Sequence, residues 1–373
     1  MSRFGNIGHR LYTGEVSFDF VGRRRLWTII SGVILVAAIL GLSVRGLNLG
    51  IEFKGGEIYT VTKPGVTVSQ AQKAANDLTH DSSALVQTAN SSKGEQVLIQ
   101  ISSAEKIDPT TGQNALSQSL GLSQDQISTQ SLSASWGHDI SQKALEGLIV
   151  FMVLVTLYLA FAFEWRLAVG ALVALLHDLV ITVGVYALVG FEVTSGTVIG
   201  FLTILGYSLY DTVVVFDGLK SATNKLTRQN KLTYSDAANA SLNSTLVRSI
   251  NTSVLALLPV AALLFIGGGL LGAGVLNDIS LALFVGLTAG AYSSICVATP
   301  MVAWLQEKRP EYIELARKVK QRRAAEAKAE AEGRTLEDDA PQAEVTVPAP
   351  TGGPRNQPVN RTRSERRSSG GRR

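Results

Sequence analysis

The sequence predicts an α-helical membrane protein with six transmembrane helices and a small ferredoxin-like α+β domain between the first and second helices. Three observations lead to this prediction: six long apolar segments, one polar stretch with strand-like and helix-like patterns, and a low charge content. Hydrophobic residues make up 46% of the 373 residues and charged residues only 17%, against about 25% in an average soluble protein. This composition excludes a wholly disordered chain, and the single cysteine, Cys296, excludes a disulfide scaffold.

The six apolar segments are each long enough to cross a bilayer, which takes about 20 helical residues. They are Leu26–Val44, Ala144–Phe163, Leu167–Val189, Thr194–Asp217, Ser249–Gly267 and Ile279–Leu305. No small-residue cleavage site follows the first span, so we expect an uncleaved anchor. The chain is divided into residues 1–25, the first span at 26–44, an extramembrane domain at 45–143, spans two to six at 144–305, and a tail at 306–373.

Basic residues beside the spans predict the orientation. Arg23, Arg24 and Arg25 precede the first span, and residues 218–247 carry four Lys or Arg against one Asp. The short turns near Glu192 and Asn277 carry no Lys or Arg. By the positive-inside rule we expect both termini and the 218–247 loop to be cytoplasmic, with the α+β domain on the outer side.

The extramembrane domain is predicted from its alternating patterns. Strands are expected at Glu57–Thr62, Ser83–Thr88, Val97–Ser102 and Ile127–Ser131. Helices are expected at Val68–Leu78, with Thr67 or Ser69 as its N-cap, and at Asn114–Leu120. The order β-α-β-β-α-β is typical of a ferredoxin-like fold, and nothing in the domain indicates catalysis.

The positive charge of the chain lies in its tail. Residues 305–373 hold 16 Lys or Arg and 11 Asp or Glu, a balance of +5, whereas residues 1–304 hold 18 and 19, a balance of −1. Residues 307–332 are predicted to be helical, and the stretch beyond Gly333 is predicted to be disordered. The tail is open to three interpretations: contact with anionic membrane lipid, contact with RNA or the ribosome, or no dedicated partner. No nucleic acid is required by the body of the chain.

Ionisable residues inside the spans are the strongest functional candidates, because each costs about 2.5–3.5 kcal/mol on insertion scales. Asp178 lies near the middle of span three, Asp211 in the inner third of span four, and Arg248 at the cytoplasmic entrance of span five. Spans four and five run in opposite directions, so Asp211 and Arg248 are expected at similar depth and are predicted to pair. A carboxylate that loses such a partner takes up a proton, so the residues alone allow either a proton carrier or a static ion pair.

Other features of spans three and four have a structural interpretation beside the functional one. His177 is more typical of a packing histidine than of a proton relay, and Asp217 is expected to reach headgroups or water. The Gly196-x-x-x-Gly200 spacing favours close approach of helices. Nucleotide-binding loops and hydrolase motifs are absent from the sequence, so no enzyme activity, cofactor or metal site is predicted.

Five motifs resemble those of the SecD/SecF protein-export family. GLNLGIEFKGG, at Gly46–Gly56, resembles the family signature GLNxGIDFxGG, and GYSLYDTVVVFD, at Gly206–Asp217, resembles GYSxNDTVVVFD. The remaining three are similar to the HD of span three (His177-Asp178), the RTxxTS of span five (Arg248–Ser253) and the GPSVG before span two (Ser133–Gly137). The resemblance covers Phe18–Leu305.

The resemblance implies which residues carry the work. The proton-carrying residues of the family fall on Asp211 and Arg248, and Asp178 is a further family position in the proton relay. Its motif residues fall on Gly55, Gly56, Gly206, Tyr207, Ser208 and Asp217. Two features depart from the family pattern: Tyr210 stands where the family has Asn, and Gly218–Ala222 replaces its usual basic sequence.

The resemblance also implies a function. The small extramembrane domain fits the SecF side of the family, an accessory part of the Sec translocon in the bacterial cytoplasmic membrane. The implied partners are SecD, the SecYEG channel, the SecA motor and the translocating preprotein, with the proton motive force promoting late steps of export. Two alternatives remain: a small-molecule or lipid exporter of the resistance-nodulation-division type, which usually has twelve spans, and a non-transporting translocon scaffold.

Overall fold

The computed structural model of the chain describes residues 17–62, 65–79, 84–91, 94–102, 107–270 and 274–331. Its helices are α1 (Arg24–Arg45), α2 (Ile51–Lys54), α3 (Val68–Thr79), α4 (Pro109–Leu120), α5 (Ala134–Ala162), α6 (Trp165–Val189), α7 (Ser195–Thr223), α8 (Tyr234–Ala262), α9 (Gly274–Ser293), α10 (Thr299–Glu307) and α11 (Pro310–Ala331). Its strands are β1 (Asn48–Leu49), β2 (Gly56–Val61), β3 (Leu85–Ser91), β4 (Gly94–Ser102), β5 (Ile127–Leu132) and β6 (Glu192–Val193).

Six helical segments of the described residues are long and apolar enough to cross a membrane, which confirms the predicted number of spans. Spans one to four are α1, α5, α6 and α7. Span five is α8 followed by the π-helical segment Leu263–Leu270, and span six is α9, the π-helical segment Ser294–Ala298 and α10.

Spans four and five extend further at one end than their apolar patterns predict. Span four continues to Thr223 and span five begins at Tyr234, so most of the predicted 218–247 loop is helical. Thr233 explains where span five begins. Its hydroxyl accepts from the backbone N–H of Asp236, and its own N–H donates to the Asp236 carboxylate, 2.9 Å away. This extension is polar, so hydropathy does not detect it.

The α+β domain has a four-stranded antiparallel sheet in the order β3-β4-β2-β5, with α3 and α4 as its helices. This confirms the predicted β-α-β-β-α-β order and the ferredoxin-like fold. Alternate residues of the two central strands are fully buried, Tyr59 and Val61 on β2 and Ile99 and Ile101 on β4. They share one core with Leu116 of α4. Thr67 is the N-cap of α3, since its hydroxyl accepts from the Gln70 backbone N–H.

Two contacts fix this domain on the transmembrane helices. Strand β1, just after span one, pairs in parallel with β6, in the turn between spans three and four. Helix α2 packs against the start of span two at Gly137, where an added Cβ would lie 3.1 Å from the Glu52 carbonyl oxygen and closer still to the Phe53 carbonyl. Glycine at this position lets the two helices meet backbone to backbone.

Spans four and six pack closely through small residues. An added Cβ would lie 2.6 Å from the Ala282 Cβ at Gly200, and 3.2 Å from the Ser208 Cβ at Gly290. At Gly286 it would overlap the Ile204 side chain. These contacts recur every four residues on both helices, so one continuous stripe joins the two spans. Gly200 therefore makes the close approach that its spacing predicts.

Helix α11 follows span six and lies against the polar extension of span five. Leu315 and Val319 are buried on one side of α11, and Arg323 forms an ion pair of 2.6 Å with Asp236. Arg24, at the start of span one, pairs with Glu307 at 2.7 Å. The tail is thus helical over Pro310–Ala331, and the predicted disorder beyond Gly333 lies outside the described residues.

Candidate functional site

Asp178, near the middle of span three, is fully buried and has polar partners on three sides. Its Oδ2 accepts hydrogen bonds from the Ser208 hydroxyl of span four, 2.5 Å away, and from the Ser293 hydroxyl of span six, 2.8 Å away. Its Oδ1 lies 3.2 Å from Nδ1 of His177. A carboxylate is stable inside a protein only with such partners, so Asp178 ties spans three, four and six together.

His177 is buried beside Asp178 and packs against span six. Its ring stacks on Tyr292, with the ring centroids 6.0 Å apart and the planes at 29°. The Tyr292 hydroxyl in turn lies 2.9 Å from the Ser31 hydroxyl of span one. Nε2 of His177 has no hydrogen-bond partner among the described residues. These contacts are typical of a packing histidine, with Nε2 as the nitrogen that makes no hydrogen bond to the described residues.

Asp211 lies one helical turn after Ser208 on span four and has fewer donors than Asp178. Its Oδ2 accepts a hydrogen bond from the Ser294 hydroxyl of span six. The Ser249 hydroxyl of span five lies beside the carboxylate without forming a hydrogen bond of good geometry. Asp178 is therefore held from three sides, and Asp211 from one.

A cavity of about 50 Å³ lies against Asp211, between spans four, five and six. Polar side chains of span five, Thr252 and Ser253, form part of its wall, and Tyr207 and Tyr210 form another part. One water molecule needs about 10–15 Å³ of such space and two or more polar partners. The cavity therefore has room for water beside the Asp211 carboxylate.

Arg248 does not pair with Asp211, so the predicted ion pair is absent from this conformation. Arg248 is exposed and has no ion pair among the described residues. The next residue, Ser249, is only 2% exposed and occupies the side of span five that faces span four. Successive helical residues point about 100° apart, and of this pair Arg248 has the exposed position. The prediction considered only how deep each residue lies in the membrane. It did not consider which side of its helix each side chain faces.

The motif residues of span four fall on both of its sides. Ser208 is buried against Asp178, whereas Tyr207 and Tyr210 are 53% and 59% exposed and open space lies beside Gly206. Asp217 is exposed near the end of the span. One side of span four therefore joins the bundle, and the other remains uncovered by the described residues.

The paired glycines after span one have a structural cause. Gly55 ends α2 with φ of 75°, a conformation that favours glycine, and its N–H donates to the Ile51 carbonyl at 2.7 Å. Gly56 begins the central strand β2, and a Cβ there would overlap the Ile101 carbonyl of the neighbouring strand β4. The two glycines turn the chain from α2 directly into the middle of the sheet.

Three carboxylates meet where the α+β domain contacts the transmembrane helices; we call Glu52, Glu192 and Asp278 the acidic cluster. Glu52 accepts a 2.6 Å hydrogen bond from the backbone N–H of Ser195, the first residue of span four. Asp278 accepts from the Thr194 hydroxyl at 2.9 Å. The cluster lines a cavity of about 130 Å³ whose other wall is formed by the sheet of the α+β domain.

Glu192 belongs to the acidic cluster and lies outside the spans, in strand β6. Burial, together with the negative charges of Asp278 and Glu52, raises the pKa of Glu192 to about 7, against the opposing effect of Lys54. Its Oε2 is buried without a hydrogen-bond partner among the described residues. Glu192 is therefore poised to change charge near neutral pH.

Two groups of side chains at the candidate sites were not identified from the sequence. Ser293 and Ser294, which donate to the two intramembrane carboxylates, are marked in the sequence only as adjacent serines within an apolar span. The acidic cluster is assembled from three distant positions, and its only sequence mark is the absence of Lys and Arg from the turns at Glu192 and Asn277. Within the described ranges, His, Cys, Asp and Glu form no group of three or more that could hold a metal ion.

Two family profiles match the chain. The profile "Protein export membrane protein SecD/SecF, C-terminal" matches residues 99–308, and the profile "SecD/SecF GG Motif" matches residues 41–62. The first covers five of the six spans and the site around Asp178 and Asp211 in full, together with part of the α+β domain. The second covers the paired glycines, Gly55 and Gly56.

Individual relatives agree with these profiles. The chain is 52% identical to the protein translocase subunit SecF of Streptomyces coelicolor over 382 aligned residues that cover both chains completely. It is 41% identical to the SecF subunit of Mycobacterium leprae, with 83% of this chain and 68% of the relative covered. The crystal structure of SecDF from Thermus thermophilus matches with a TM-score of 0.65 and 28% identity, covering 79% of this chain and 39% of that one.

Proposed function

The chain belongs to the SecD/SecF protein-export family, and from this premise we propose that it is a SecF-type translocase subunit that uses proton flow to promote protein export. The observation that carries the proposal is that the carboxylates of Asp178 and Asp211 have different surroundings. Asp178 is enclosed by two serine donors and the His177 ring, whereas Asp211 has one donor and faces a cavity. A carboxylate in the second situation can exchange a proton with water, and one in the first situation holds helices together.

Asp211 is the proposed proton carrier, and the membrane potential supplies the energy. Each proton that crosses 100 mV releases about 2.3 kcal/mol, which is enough to bias two packings of a helix bundle. Protonation removes the charge that the Ser294 hydroxyl stabilises, so it changes which helix Asp211 binds. Arg248, exposed on the neighbouring span, is the proposed partner of ionised Asp211 in a second conformation. Asp178 is proposed to take part as the fixed end of the relay.

SecD is the proposed partner within the membrane. One relative, from Thermus thermophilus, is a single SecDF chain that is 31% identical to this one, which covers 41% of it. The uncovered side of span four, with Tyr207 and Tyr210, lies beside the Asp211 cavity and offers a surface for a second set of helices. A partner on this side would close the cavity from the membrane and control when water enters it.

The contacts of the α+β domain suggest how a change near Asp211 reaches the translocating protein. The Glu52 carboxylate caps the first N–H of span four, and β1 pairs with the turn that leads into the same span. A tilt of span four would therefore move the domain directly. We propose that the domain lies on the outer side of the bacterial cytoplasmic membrane, with both termini inside, and that the pathway includes SecYEG and SecA.

Replacing Asp211 by Asn tests the proposed function. Inverted membrane vesicles that contain the variant with SecD should lose gradient-stimulated completion of preprotein translocation, while SecD still copurifies. Asp139→Asn, at an exposed position on α5, is the matched control and should behave as wild type. Normal gradient-stimulated export by the Asp211 variant would favour a translocon scaffold without proton transport.

A further inference from the structure

Span six, rather than span five, holds both intramembrane carboxylates in this structure. The Ser293 hydroxyl donates to Asp178, and the hydroxyl of the next residue, Ser294, donates to Asp211. Adjacent helical residues point about 100° apart, so a single turn of span six faces a carboxylate on span three and another on span four. No other pair of adjacent residues in the described spans makes such contacts with Asp178 and Asp211.

We infer that Ser293 and Ser294 are positioning residues that couple the two carboxylates, and that Ser294 competes with Arg248 for Asp211. This inference rests on the proposed function, because it assumes that Asp211 changes its charge. In the structure Ser294 holds Asp211 and Arg248 is free of ion pairs within the described part of the chain. Release of Asp211 from span six is then the step that permits the pair with span five.

A π-helical turn in the backbone of span six could allow this release. The segment Ser294–Ala298 is π-helical, and the Thr299 hydroxyl donates to the Ser294 carbonyl at 3.1 Å. π-Helical turns carry one extra residue, are uncommon, and often occur at functional sites. Conversion of this turn to α-helix rotates Ser294 relative to α10 without unfolding either part of the span.

Packing restricts the movement to that turn. Before the serines, spans four and six touch at Gly286 and Gly290, where added Cβ atoms would meet Ile204 and Ser208. Gly290 and Ala291, in the turn just before the serines, also line the cavity that reaches Asp211. After the serines, Ala298 and Val302 are fully buried and pack against span three at Gly170. Span six is therefore held on both sides of the serine pair, and the cavity beside Asp211 is the space into which the Ser294 side chain can turn.

Variants of Ser294 test the inference against a control in the same span. Ser294→Ala removes the donor, Ser294→Thr keeps a hydroxyl, and Ser280→Ala removes a buried hydroxyl that bonds only the Asn277 carbonyl of its own helix, 3.0 Å away. Each variant is assembled with SecD in vesicles. Proton flux is measured under an imposed gradient, and reaction of Asp211 with a hydrophobic carbodiimide is measured by peptide mass spectrometry.

Ser294→Ala should lower proton flux about tenfold and speed carbodiimide reaction of Asp211 severalfold, because the charge-assisted hydrogen bond that holds the carboxylate is lost. Ser294→Thr should restore both values to within about twofold, since it keeps the hydroxyl. Ser280→Ala should match wild type. If Ser294→Ala does not reach the membrane, Ser294→Cys, a weaker donor of similar size, should show the same two changes.

Wild-type flux and reactivity in Ser294→Ala would overturn the inference. Equal losses in Ser294→Ala and Ser294→Thr would also overturn it, because they would indicate a packing defect rather than a lost donor. Asp211→Asn separates this inference from the proposed function. Normal flux in Asp211→Asn removes the proposed function, whereas an inactive Asp211→Asn beside a normal Ser294→Ala removes only the role of Ser294.

Discussion

The Glu52 carboxylate accepts a 2.6 Å hydrogen bond from the backbone N–H of Ser195, so the segment after span one caps the first turn of span four. The first N–H groups of a helix have no partner within the helix, and the helix dipole favours a negative charge there. One side chain therefore joins the motif at the entrance of the α+β domain to the helix that carries Asp211.

Removing the Glu52 carboxylate should loosen this junction. Glu52→Ala is expected to cost about 1 kcal/mol and to speed hydrogen exchange at the Ser195 amide by about fivefold. Glu52→Gln, which keeps an acceptor, should recover part of the protection. Hydrogen exchange with peptide mass spectrometry in detergent provides the measurement. Asp77→Asn, at an exposed position on α3, is the control, and unchanged exchange at Ser195 in Glu52→Ala would contradict the capping role.

The acidic cluster should make the contact between the domain and the helices depend on pH. Burial and the neighbouring negative charges raise the pKa of Glu192 from an ordinary 4.5 to about 7, so the folded protein binds this proton more tightly than the unfolded chain. Its contribution to stability is complete below pH 4.5 and is lost as the pH rises to about 7.

Glu192→Gln, which stays neutral, should remove most of this dependence. Thermal unfolding at pH 5 and pH 8 should show a larger loss of stability in wild type than in the variant. An equal loss in both proteins would assign the pH dependence to other groups. Glu57→Gln, within the sheet of the α+β domain, should keep the wild-type dependence, because Glu57 lies outside the acidic cluster.

The sequence was sufficient for the parts of the fold that depend on local periodicity. Apolar runs predicted six spans, and alternation predicted the ferredoxin-like domain, because burial acts directly on those patterns. The polar start of span five at Tyr234 was missed, since a Thr233 cap and packing against α11 stabilise it rather than hydropathy. Asp178 and Asp211 were found because a charge inside a span is costly. Their donors Ser293 and Ser294 were missed because placing a serine inside a span costs little, so the sequence does not mark it.

The sequence also did not predict which side of its span each residue faces. Depth along two antiparallel spans placed Asp211 and Arg248 at one level, but which side each residue faces depends on how the helices are rotated. In the structure Ser249 takes the inward position that Arg248 would need. The acidic cluster was beyond reach for a related reason, because positions 52, 192 and 278 meet only when the domain is docked on the spans.

Arg248 should matter for transport more than for stability. In this conformation it is exposed and has no ion pair in the described ranges, so Arg248→Gln should change the free energy of unfolding by less than about 0.5 kcal/mol. If Arg248 receives Asp211 in a second conformation, the same variant should lose gradient-driven proton flux, and Arg248→Lys should keep part of it. A large loss of stability in Arg248→Gln would show that the arginine is a static structural partner.

The stability of the protein should fall when a side chain is enlarged in the stripe between spans four and six. A Cβ at Gly286 would overlap Ile204, so Gly286→Ala should destabilise the protein by about 1–3 kcal/mol, the usual cost of overpacking. Ile204→Val removes one methyl at the point of overlap, and the double variant should recover part of the loss. Gly147→Ala on span two is the control, because open space surrounds that position. Denaturant unfolding in detergent of wild type, the two single variants and the double variant gives the coupling energy between Gly286 and Ile204. This energy is expected to be at least about 0.5 kcal/mol for residues in contact. Additive effects would mean that the spans separate easily at this level, and the anchoring of span six beside its serine pair would then be lost as well.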